Sequence, residues 1–106
     1  IGDRRGEGNA LGNLGIAYAD LGETRRAIEF YEQQLTIVRE IGDRRGEGRD
    51  LWNMALAREK LGQRDQAIAL AAAALAIKEQ IEDPHAGMVR QALAAWRAGR
   101  KLEASG

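Results

Sequence analysis

Residues 1–8 read IGDRRGEG, and residues 41–48 read IGDRRGEG again. An unchanged octapeptide in a chain of 106 residues is either a duplicated functional loop or a duplicated structural joint. The sequence around it decides. Residues 1–40 align with 41–80 without a gap, and 17 of the 40 pairs are identical, which establishes an internal repeat. Beyond the octapeptide the matches include Leu11 with Leu51, Asn13 with Asn53, Gly22 with Gly62, Ala27 with Ala67 and Leu35 with Leu75.

These positions have helical spacing. Leu11, Leu14, Tyr18 and Leu21 fall on one helix face and predict a helix over about residues 4–21, with Gly22 free to take the positive φ that ends it. Ala27, Ile28, Tyr31, Leu35 and Val38 predict a second helix over about 24–40, stopped by Gly42. Residues 41–80 repeat the hairpin. The octapeptide is then the joint between hairpins: Gly2 and Gly42 end a helix, Asp3 and Asp43 cap the next, and its arginines face water. A third joint, IEDPHAG at 81–87, puts Asp83 in register with Asp3 and Asp43 and Pro84 at the first position of a fifth helix. That helix is predicted over about 84–101, ending in Arg97, Arg100 and Lys101.

Composition narrows the function. Sixteen basic and sixteen acidic residues cancel, so no overall field draws the chain to nucleic acid or to an anionic membrane. No cysteine and a single histidine, His85, leave no metal set, and no apolar run approaches the roughly 20 residues of a membrane span. The octapeptide is not a phosphate loop, since no Gly-Lys-Ser/Thr follows. Glu7 and Glu47 recur on successive hairpins and read as solvated first-turn charges; His85 reads the same way. No acid, base and nucleophile assemble, so no catalytic residue, cofactor or metal is expected. The sequence reads as a cytoplasmic segment of a longer chain that opens inside its octapeptide at Ile1.

The string Leu11-x-x-Leu14-Gly15-x-x-Tyr18 followed by Ala27-x-x-x-Tyr31 resembles the tetratricopeptide repeat. The second copy keeps Leu51 and Ala67 but places Met54, Ala55, Arg58 and Ala71 in the family's other slots, and Arg39 and Glu79 replace its closing proline. At 40 residues the unit is longer than the usual one of about 34. It is similar to the extended arrays of kinesin light chains, of spindle-orientation adaptors that bind Gα subunits, and of bacterial signalling ATPases. The resemblance implies an all-α superhelix forming one domain over residues 1–106: repeat one (1–40), repeat two (41–80) and a capping helix (81–103).

It also implies a concave groove, lined by the first helix of each hairpin, that binds a protein or peptide partner. Carried over by position, the groove residues are Asn9, Gly12, Asn13, Ile16 and Asp20 in repeat one. Repeat two gives Arg49, Trp52, Asn53, Leu56 and Lys60, and the last helix Ala92 and Trp96. Arg49 stands where the spindle adaptors use an arginine on acidic peptides, and its guanidinium suits a carboxylate. Trp52 and Trp96 have two readings, packed core or groove anchor. Ala69, Ala72, Ala73 and Ala76 make a stripe of methyl groups, read either as helix propensity or as a surface for a docking helix. The alternative role is structural: a segment that ends an array and self-associates through the open face of its first hairpin.

Overall fold

The structure, a computed structural model, describes residues 3–100. Five helices follow one another: α1 (Arg4–Asp20), α2 (Thr24–Glu40), α3 (Arg44–Lys60), α4 (Arg64–Gln80) and α5 (Ala86–Arg97). Each packs on the next, with three-residue connections between α1, α2, α3 and α4. Helices joined that closely must run antiparallel. The result is an all-α stack of helical hairpins in which α3 and α4 begin 40 residues after α1 and α2.

One turn geometry stops every helix. Gly22, Gly42, Gly62 and Gly99 have φ of 82°, 73°, 77° and 78°. At the first of them the Gly22 N–H donates to Ala19 and the Glu23 N–H donates to Tyr18, the paired bonds that satisfy the last free carbonyls of a helix. The same pair recurs at each of the other stops. The fourth stop in chain order is Glu82, at φ 56°, the one non-glycine residue among those described to take a positive φ.

The joints begin helices as the sequence predicts. Asp3 accepts from the Gly6 N–H at 3.1 Å and Asp43 from the Gly46 N–H at 2.9 Å. A cap of this kind contributes about 1 kcal/mol. Glu23 and Gln63, which stand at the equivalent place inside the hairpins, make no side-chain cap.

The third joint departs from expectation. Pro84 is not the first residue of α5, because the Asp83 carboxylate accepts the His85 N–H at 2.8 Å and folds Pro84 and His85 into a turn. The helix therefore starts at Ala86 and, stopped by Gly99, ends at Arg97, so it is 12 residues long. Arg100 lies past its end, and Gly2, Lys101 and the remainder of the predicted cap to 103 lie outside the described residues.

The core runs from α2 to α5 through Ala27, Tyr31, Leu35, Val38, Leu51, Met54, Ala55 and Leu93. Repeat one is less covered. Leu14 on α1 and Leu21 just past its end are 43% and 71% exposed, whereas Met54, the counterpart of Leu14, is buried in the core. The predicted stripe is thus split: Leu14 and Leu21 are open, while Tyr18 stacks on Phe30 of α2 with ring centroids 5.3 Å apart.

The arginines and glutamates of the octapeptide are tied down. Arg5 and Arg45 point outward, each 3.6 Å from the aspartate of the following joint, Asp43 and Asp83. Arg4 bonds Glu7 and Glu40; Arg44 bonds Glu47 and Gln80. Glu47 is not solvated: it is buried and also receives Arg39 at 2.9 Å. Burial pushes its carboxyl up, but the bonds from Arg39 and Arg44 outweigh that and hold it below its ordinary value.

Candidate functional site

Nine of the sequence-predicted residues, Gly12 among them, come together along one groove. Asn9, Asn13, Ile16 and Asp20 stand at i, i+4, i+7 and i+11 on α1, and Arg49, Asn53, Leu56 and Lys60 repeat that spacing on α3. At 3.6 residues per turn these positions share a face. Two adjoining clefts result. One, of about 290 Å³, is lined by Asn9, Gly12, Asn13, Ile16, Arg49 and Asn53 with Gln34 of α2. The other, of about 690 Å³, takes in Asp20, Asn53, Leu56, Glu59 and Lys60 with Tyr31 of α2. Asn53 belongs to both, so the clefts form one continuous surface.

Its chemistry changes along its length. The first cleft carries the amides of Asn9, Asn13, Gln34 and Asn53, which both donate and accept, and the guanidinium of Arg49. Arg49 is exposed and makes no ion pair among the described residues, so its donors are open to a ligand. The second cleft is more apolar, with Ala19, Leu56, Ala57 and the Tyr31 ring, and has Asp20, Glu59 and Lys60 among its lining residues. Burial raises the Tyr31 hydroxyl above its ordinary value, and the negative charges of Asp20 and Asp50 add to this.

The remaining predicted residues lie elsewhere. Trp52 and Trp96 are not groove anchors: they are 8% and 2% exposed and stack on each other, ring centroids 5.8 Å apart and planes 21° from parallel. Ala92 is fully buried as well. The indoles pack α3 against α5 inside the core. The Trp96 Nε1–H finds no hydrogen-bond partner there.

Gln34 and Tyr31 are floor residues that reading the first helices alone misses. Ala27, Tyr31, Gln34 and Val38 fall at i, i+4, i+7 and i+11, so the inner face of α2 was legible from its own spacing. Gln34 is 3% exposed and lies against Gly12; a Cβ there would come within 2.5 Å of its Nε2. The alanine stripe on α4 is largely open, with Ala69, Ala73 and Ala76 exposed and Ala72 half-buried.

Antiparallel hairpins repeating every 40 residues, with a shared groove across their first helices, define a helical-repeat scaffold. Residues 6–80 match the family model of the tetratricopeptide repeat, and the chain belongs to that family. No curated protein matches the chain in sequence. Tetratricopeptide repeats serve in general as protein–protein interaction modules. Among the described residues no helix is long and apolar enough to cross a membrane.

Proposed function

We propose that the chain binds an extended acidic segment of a partner protein along the α1–α3 groove, with α5 as the cap of the array. The unpaired Arg49 beside the amides of Asn13 and Asn53 carries this reading. The amides bond the peptide backbone and the guanidinium grips a carboxylate two-pronged. The apolar second cleft takes a hydrophobic side chain against Leu56 and Tyr31. A test is selection from a displayed peptide library on the intact chain and on an Arg49→Glu, Asn53→Ala variant. Enrichment of Asp- and Glu-rich peptides by the intact chain, lost in the variant, supports the reading. Selection of the same peptides by both removes it.

The exposed Leu14 and Leu21 favour a second reading, self-association through the outer face of α1. Light scattering over a wide concentration range that shows only monomer would dispose of it.

A further inference from the structure

Asp50 is a charge the fold gives no partner. It lies on α3, fully buried, and neither carboxylate oxygen has a hydrogen-bond partner among the described residues. Its counterpart in repeat one is Ala10, an exposed residue, so the repeat pattern does not require a carboxyl at this position.

We infer that Asp50 makes the packing of α3 into the array proton-dependent, tight when the carboxyl is neutral and loosened when it ionises. An ionised carboxylate removed from water is costly unless it is paired, and a buried one usually takes up a proton instead. Pairing is missing on every side. On its own helix Arg49 is adjacent but turned to the groove, and Asp43, two turns back, adds like charge. From α2 the neighbouring titratable group is Tyr31, itself raised by Asp50. The buried charge of α4, Lys78, is taken by Asp83 at 3.4 Å, and the buried residues of α5 are all apolar or aromatic.

The direction follows from burial. Desolvation raises the carboxyl, Arg49 opposes, Asp43 adds, and the result is about 7 against an ordinary 3.8. A group with a raised folded value stabilises the fold below its unfolded value and loses that contribution as pH climbs to the folded one. Glu47 and Asp83 are held low and act oppositely, losing their contributions only in acid. Between pH 5 and pH 8 the Asp50 effect therefore stands alone among these groups and amounts to about a hundredfold in the folding equilibrium constant.

The test is denaturant unfolding of the 106-residue chain at several pH values, beside Asp50→Asn and Asp50→Ala. The native chain should lose about a hundredfold in folding constant from pH 5 to pH 8, and either variant should flatten the profile. A native profile with no slope, or a variant that keeps the native slope, overturns the proposal. Should both variants fail to fold, the carbon-detected titration of the Asp50 carboxyl in the native chain decides. A midpoint near 7 supports the switch, and one near the ordinary 3.8 refutes it.

Discussion

Repeat one sets Gly12 against Gln34 and Gly15 against the ring of Tyr31; repeat two has Trp52 and Ala55 on α3, with Ala74 and Ala71 at the matching places on α4. The volume is the same kind of quantity in both hairpins but is held by opposite helices. Where the first helix is small, its partner reaches across and leaves a polar floor under an open groove. Where the first helix carries an indole, the partner shrinks to methyl groups, and the indole stacks on Trp96 in the core. The octapeptide repeats without change, and the chemistry of the groove arises where the copies differ.

Substitutions can break that comparison. Trp96→Ala removes the stacked indole and should cost about 3–5 kcal/mol in denaturant unfolding, the largest single loss. Met54→Ala should cost about 2–4 kcal/mol, while Leu14→Ala, its half-exposed counterpart, should cost under about 1 kcal/mol in the same measurement. Equal losses would mean that the outer face of α1 is covered in solution. Gly15→Ala places a Cβ 2.6 Å from the Tyr31 ring, and the overpacking should cost about 1–3 kcal/mol. Adding Tyr31→Ala, which gives repeat one the pairing of repeat two, should make the two changes non-additive by thermal unfolding.

Smaller effects separate the joints. Glu47→Gln should cost about 1–2 kcal/mol at neutral pH, because two arginines bond it, and Glu7→Gln under about 0.5 kcal/mol. The Glu47 carboxyl is held low, so its contribution is present above about pH 4.5 and the difference from the variant should vanish as pH falls through the folded value. Glu82→Gly places at the fourth stop the residue found at the other four and should raise the melting temperature by a few degrees, about 1 kcal/mol or less.

Local patterns in the sequence carried most of this architecture. The spacing of Leu11, Tyr18, Tyr31 and Leu35, with Gly22 and Gly42, places α1 and α2 to within a residue, because periodicity and caps act over a few residues. The start of α5 was hidden because Pro84 favours both a first helical turn and a tight turn, and only the bond from Asp83 to His85 chooses. The groove faces of α1 and α3 were readable as register. The burial of Trp52 and Trp96 was not, since it depends on where α5 docks. Glu47 and Asp50 show the same limit: their surroundings come from Arg39 on another helix and from the lack of a hydrogen-bond partner among the described residues.

The alternation of caps gives the stack two unlike edges. Consecutive antiparallel helices put Gly42 and Glu82 along one rim and Gly22 and Gly62 along the other. The first rim holds the Asp43 cap, the Asp83 turn and the Arg39, Arg44 and Lys78 bonds; at the second, Thr24 and Arg64 open their helices with no side-chain cap, although Arg64 bonds Glu59 and the Trp96 carbonyl. Warming should open the molecule as a book opens, with the Asp43 and Asp83 rim as its spine and amide exchange beginning at the leaf near Thr24.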